Sequence, residues 1–185
     1  MASHEDELLD VARLLIRRRS GLRGPLPSAR VRRSVSTSYY AIFHFIANET
    51  AGRLVGKTSN LLKRRRLLSR TITHASVRSA LDKLKGKVVE KSVDDFFALP
   101  GNPQPNPVPP FVQFFATSFA GAQAQREDAD YDLTKPLTAA DATLIRRQVK
   151  RAIELWKNAS ATSDTDFKNA ISALIVLKGR LRKEG

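Results

Sequence analysis

Between Arg33 and Ala47 the chain reads RSVSTSYYAIFHFIA, and this stretch limits the possible folds more than any other. Val35, Tyr39, Ile42 and Ile46 recur at helical spacing and mark the core-facing stripe of a helix. Arg33, Thr37, Tyr40 and His44 lie on the neighbouring stripe, and Ser34, Ser36 and Ser38 fill the intervals. Such a helix can be buried only where each hydroxyl meets a partner or a solvent-lined groove, because an unpaired buried polar atom costs ~1–3 kcal/mol. The fold must therefore bring acceptors to this helix.

At 185 residues the chain suits one domain, or one domain with an appendage. It should bury roughly 70% of its unfolded surface and needs no covalent staple. It has no cysteine, which excludes disulfides and thiolate metal sites and makes a reducing, cytoplasmic setting the expectation. The opening MASHEDELLD is acidic where a secretory signal is basic, so secretion is not expected. The longest apolar runs, Tyr39 to Ala47 and Ala173 to Leu177, are far too short to span a bilayer. Thirty-two Lys and Arg against eighteen Asp and Glu leave a net charge of +14, which attracts polyanions, nucleic acid ahead of membrane. That surplus says nothing about catalysis, and a merely well-solvated basic protein would share it.

Helical periodicity runs the length of the chain. Leu8, Leu9, Ala12, Leu15 and Ile16 define a first helix, acidic at its start and basic at its end, as the helix dipole favours. After a Gly/Pro break, Ser28 is a candidate N-cap for a long second helix ending near Gly52 or Gly56. Short helices are expected around Asn60 to Leu68 and from Ser76 to Lys85. Residues Pro100 to Pro110 hold six prolines and form an extended loop, flanked by Phe96, Phe97, Phe111, Phe114, Phe115 and Phe119 as anchors in the core. Helices follow from Phe111 to about Ala129, from Leu137 or Thr138 to Trp156 with Thr138 as candidate cap, and from Asp164 to Leu177. No segment alternates with the period of a strand, so the chain reads as all-α, a bundle of about five or six helices.

Several motifs fail on spacing. Gly52 to Thr58 lacks the four residues between glycines and the preceding strand that a phosphate-binding loop needs. His4, His44 and His74 are scattered and form no i, i+4 metal pair, and no cofactor is expected. The basic clusters are sharper: Lys63, Arg64, Arg65 and Arg66, and then Arg146, Arg147, Lys150 and Arg151, whose i, i+4 spacing makes a stripe. Arginine on such a stripe can grip phosphate bidentately, although a solvated helix face has the same composition. For Tyr40 and His44 the plain alternative is a core role, satisfied by neighbouring backbone.

Taken in order, Ser38-Tyr39-Tyr40-Ala41-Ile42-Phe43-His44, then Thr73-His74-Ala75-Ser76-Val77, then Arg126-x-x-Ala129-Asp130-Tyr131-Asp132 resemble the HEPN superfamily, in its small stand-alone prokaryotic branch. The resemblance covers roughly Glu5 to Trp156. It implies an up-down bundle of roughly four or five core helices, commonly dimeric, that binds or cleaves RNA. It also implies a toxin–antitoxin or defence setting and a nucleotidyltransferase-like antitoxin as partner. On that reading residues 1–157 are the HEPN-like bundle, with its Pro-rich loop at 100–110, and residues 158–185 add an amphipathic helix and a basic tail. The family ribonuclease motif is an Arg followed after four to six residues by His, a cation for the phosphorane and a base for the 2′-hydroxyl. Here Tyr131 follows Arg126 after four residues, and a phenol's ordinary pKa of about 10 suits it poorly as a neutral-pH base. Arg70 and His74 are separated by only three residues.

The expected site is a cleft lined by Arg126, Tyr131, Tyr40 and His44, with RNA held by Arg33, Tyr40 and the two basic clusters. RNA binding by a homodimer is the leading expectation. The alternatives are a metal-independent endoribonuclease in which His44 replaces the missing histidine, and a non-catalytic protein-interaction module.

Overall fold

A computed structural model describes residues 3–17, 24–85 and 108–178. Those residues contain only helices: α1 (His4–Ile16), α2 (Ser28–Val55), α3 (Leu62–Thr71) after a 3-10 turn at Ser59–Leu61, α4 (His74–Asp82), α5 (Pro110–Tyr131), α6 (Ala139–Asn158) and α7 (Thr162–Val176). The all-α expectation is met. None of these helices is long and apolar enough to cross a membrane. Phe96, Phe97 and most of the Pro-rich loop lie outside the described residues.

The helix ends follow from local chemistry. Ser28 is already inside α2; Pro27, one residue earlier, supplies the capping carbonyl, accepting from the N–H groups of Arg30 (3.0 Å) and Val31 (3.3 Å). This corrects the expected cap, and Ser28 Oγ instead accepts from Arg32 Nε at 3.1 Å. Gly52 lies within α2, and Gly56 ends it with φ +102°, its N–H donating to Gly52 O at 2.9 Å. Pro110 opens α5, where its missing N–H has no intrahelical acceptor to lose. Thr138 caps α6 as expected: its Oγ1 accepts from Asp141 N at 3.2 Å, while Asp141 Oδ2 accepts from Thr138 N at 2.8 Å.

The chain forms two compact units. Residues 1–45 with 118–154 form the first, and residues 46–117 with 155–185 the second. In the first, Val35, Tyr39, Ile42, Phe119, Ile145 and Val149 are buried, and the Tyr39 ring lies 5.6 Å from that of Phe119. In the second, the only tryptophan, Trp156, is 1% exposed, with Phe115 4.7 Å away and Phe111 edge-on at 5.7 Å. Phe111 is half-buried and Phe115 buried, while Phe114 is 38% exposed. The C-terminal helix is integral to this unit: α7 packs on α4 and buries Phe167, Ile171, Leu174 and Ile175.

Candidate functional site

The Ser and Thr hydroxyls between Arg33 and Ala47 do find acceptors, whereas that of Thr50, further along α2, is buried and in no hydrogen bond. Ser34 donates to the α1 carbonyl of Ala12 at 2.8 Å, Thr37 to Arg33 O at 2.7 Å and Ser38 to Ser34 O at 2.9 Å. The latter two bonds return to the preceding turn, as helix-interior Ser and Thr commonly do. Ser36 reaches across to the carboxylate of Asp130 on α5. That bond opens the main polar cluster of the first unit.

Asp130 also pairs with Arg126, one helical turn earlier, at 2.6 Å between Oδ2 and Nε. Nη2 of Arg126 donates to the hydroxyls of Tyr40 at 3.3 Å and Tyr131 at 3.5 Å. Its guanidinium carbon stands 5.8 Å from the Tyr40 ring centre and 5.3 Å from that of Tyr131, within cation–π range. Burial opposes the charge of Arg126, but Tyr40, Asp130 and Tyr131 more than offset it and hold its pKa above the ordinary value. The site residues expected on α2 and α5 are thus brought together as a charged, aromatic, largely satisfied cluster.

His44 extends this cluster by one ring. It stacks on Tyr40 with centroids 6.1 Å apart, and meets Phe43 and His4 edge-on at 5.5 and 5.3 Å. Burial, followed by the charge of His4, lowers its pKa from the ordinary 6.5, so the neutral imidazole dominates at neutral pH. Arg126 and His44 each touch Tyr40 and do not pair with one another. His4, set aside in the sequence as scattered, is the neighbour that its position at the start of α1 could not reveal. Among the described residues no group of three or more His, Asp or Glu could hold a metal ion.

Arg32, which no motif singled out, organises the turn after α5. Its Nη1 reaches the carbonyls of Asp128 (3.1 Å), Ala129 (3.1 Å) and Asp132 (2.9 Å). Its Nη2 reaches those of Leu133 (3.3 Å) and Lys135 (2.7 Å). A cation at a helix C-terminus satisfies orphan carbonyls and opposes the dipole. Asp132 accepts from Thr134 N at 3.0 Å and from its hydroxyl, and Lys135 pairs with Asp128. The bond to the Thr134 hydroxyl, with that residue's backbone, holds the Asp132 carboxyl below its usual range.

The basic clusters are separate features. On α3 no residue is buried; Lys63, Arg64, Arg66 and Arg70 are exposed, and the helix carries no carboxylate. Arg65 differs from its neighbours: its Nη1 donates to Gly56 O at 2.9 Å and Thr58 O at 2.7 Å, so it fastens the helix to the end of α2. On α6, Arg147, Lys150 and Arg151 are exposed, Lys150 facing Glu154 at 3.7 Å, while Arg146 is half-buried with its Nε in no hydrogen bond. Arg33 is exposed at the outer end of its stripe. In the second unit Lys168, only 4% exposed, donates to Ala159 O and lies over the rings of Phe111 (5.5 Å) and Trp156 (5.9 Å). Burial foremost, then the nearby Arg53, lowers its pKa. Its position on an amphipathic helix gave no sign of this.

Comparison with family models, with curated proteins and with solved structures returns no match.

Proposed function

We propose that this is a HEPN-like RNA-binding protein whose cationic helix faces hold the phosphate backbone. The observation that carries the reading is α3, a helix with no buried residue, four exposed cations and no carboxylate. A helix that contributes nothing to a core and concentrates one sign of charge is suited to a polyanion. The exposed cations of α6 add a second stripe, and the motif order from Tyr39 to Tyr131 supports the family assignment. A homodimer and a nucleotidyltransferase-like antitoxin belong to the same proposal.

Binding of unstructured RNA, followed by fluorescence anisotropy against salt concentration, tests it. Each phosphate contact on a single strand contributes about 0.7 to the slope of log K against log salt. Replacing Lys63, Arg64, Arg66 and Arg70 by Ala should lower that slope by up to about 3. Absence of wild-type binding at low salt would sink the proposal.

An endoribonuclease reading has one observation in its favour: His44, held neutral by burial, shares Tyr40 with Arg126. It requires RNA cleavage in EDTA that is abolished by Arg126→Ala and by His44→Ala. RNA left intact by the wild type would remove it.

A further inference from the structure

Tyr131 combines two properties that rarely coincide. The residue is 74% exposed, yet its backbone is held by hydrogen bonds on both sides. Arg32 binds carbonyls on either side of it, from Asp128 to Lys135, and Asp132 closes the next turn on Thr134. Arg126 lies against the ring, 5.3 Å from its centre, and its Nη2 is 3.5 Å from the hydroxyl. Most of the aromatic surface remains in water, held in place without being buried. Fixing a contact group before its ligand arrives lowers the entropy lost on binding.

Charge decides what this ring suits. Around the turn Asp130 pairs with Arg126 and Asp128 with Lys135, the Asp132 carboxylate is met by Thr134, Arg32 binds backbone carbonyls, and Glu127 adds a further negative charge. Asp130 already neutralises Arg126. No positive surplus is left to seat a phosphate, in contrast to α3. An uncharged π-face is what a rigid tyrosine backed by a guanidinium receives well, and every nucleobase has one.

We infer that Tyr131 is a stacking platform for an unpaired base of single-stranded RNA, held in position by the Arg32-braced turn and backed by Arg126. This rests on the RNA reading above and narrows its substrate class: a base paired within a duplex cannot offer its face to the ring. Phosphates are held elsewhere, so stacking here contributes to affinity but not to salt dependence.

The test compares an unstructured RNA of about 12 nucleotides with a duplex of the same length. Tyr131→Ala should weaken single-strand binding by between about 5-fold and 150-fold, the range for loss of one stacked base. Duplex binding and the salt slope should stay as in the wild type. Tyr131→Phe, which keeps the ring, should recover most of the loss. Three results overturn the inference: Tyr131→Ala binding both RNAs like the wild type, which would leave the turn to a protein partner; equal losses on single strand and duplex; or Tyr131→Phe failing as badly as Ala. A wild type that binds no RNA removes the parent reading along with this one, so the two failures are distinct.

Discussion

One guanidinium, that of Arg32, meets Ser28 Oγ and five backbone carbonyls. A lysine ammonium has no fork with which to span the two sides of that turn. Arg32→Lys should therefore lose roughly 2 kcal/mol of stability in chemical denaturation, close to the loss from Arg32→Ala. Full recovery by lysine would show that only the charge matters. His44 sets a pH dependence of its own. Its folded pKa lies below the ordinary 6.5, so the unfolded chain takes up the proton more readily. Stability is then full above about pH 6.5 and declines as pH falls through that value toward the folded pKa. The melting temperature should fall between about pH 7 and pH 5, and His44→Gln should flatten the decline. An unchanged slope in the variant would assign the effect elsewhere. Residue by residue, the stripe of Val35, Tyr39, Ile42 and Ile46 was legible because burial repeats with the helix. Arg30, Arg32 and Arg33 were not distinguishable. Arg30 caps α1 through Leu14 O and Arg17 O, Arg32 holds the turn after α5, and Arg33 is exposed. Their roles are set by segments that local sequence does not contain.

Elements were legible where their ends are written in local chemistry. The Thr138–Asp141 box and the Gly56 stop were visible because each uses residues within a turn of the boundary. Gly56 allows a direct check. Its φ of +102° is strained for any L side chain, and an added Cβ would lie 3.0 Å from Leu61 Cδ1. Gly56→Ala should cost about 1–2 kcal/mol in a denaturant titration. No measurable change would mean that α2 can end another way. The start of α2 was misplaced by one residue because the cap there is a proline carbonyl, and a serine hydroxyl next to it is the stronger sequence signal. In α3 the run of basic residues was plain, but the inward turn of Arg65 depends on where the end of α2 lies.

For the whole molecule, the C-terminal helix matters although it lies beyond the segment that carries the resemblance. On its buried face Phe167, Ile171, Leu174 and Ile175 together contribute between about 6 and 12 kcal/mol of apolar burial. That is comparable to the total stability of an ordinary domain. A chain ending at Ser160 should therefore lose its second unit, with the emission of Trp156, 1% exposed in the intact chain, shifting to the red. Retention of blue-shifted emission would make α7 dispensable. The reach of Arg32 also has a consequence in time. Its carbonyl partners on α5 and the following turn lie 96 to 103 residues further along the chain. At a synthesis rate of roughly 5–20 residues per second, α2 leaves the ribosome on the order of 5–20 s before they exist. Through that interval Arg32 and Ser36 wait as groups that water solvates readily. An aliphatic face in their place would wait as a surface for aggregation.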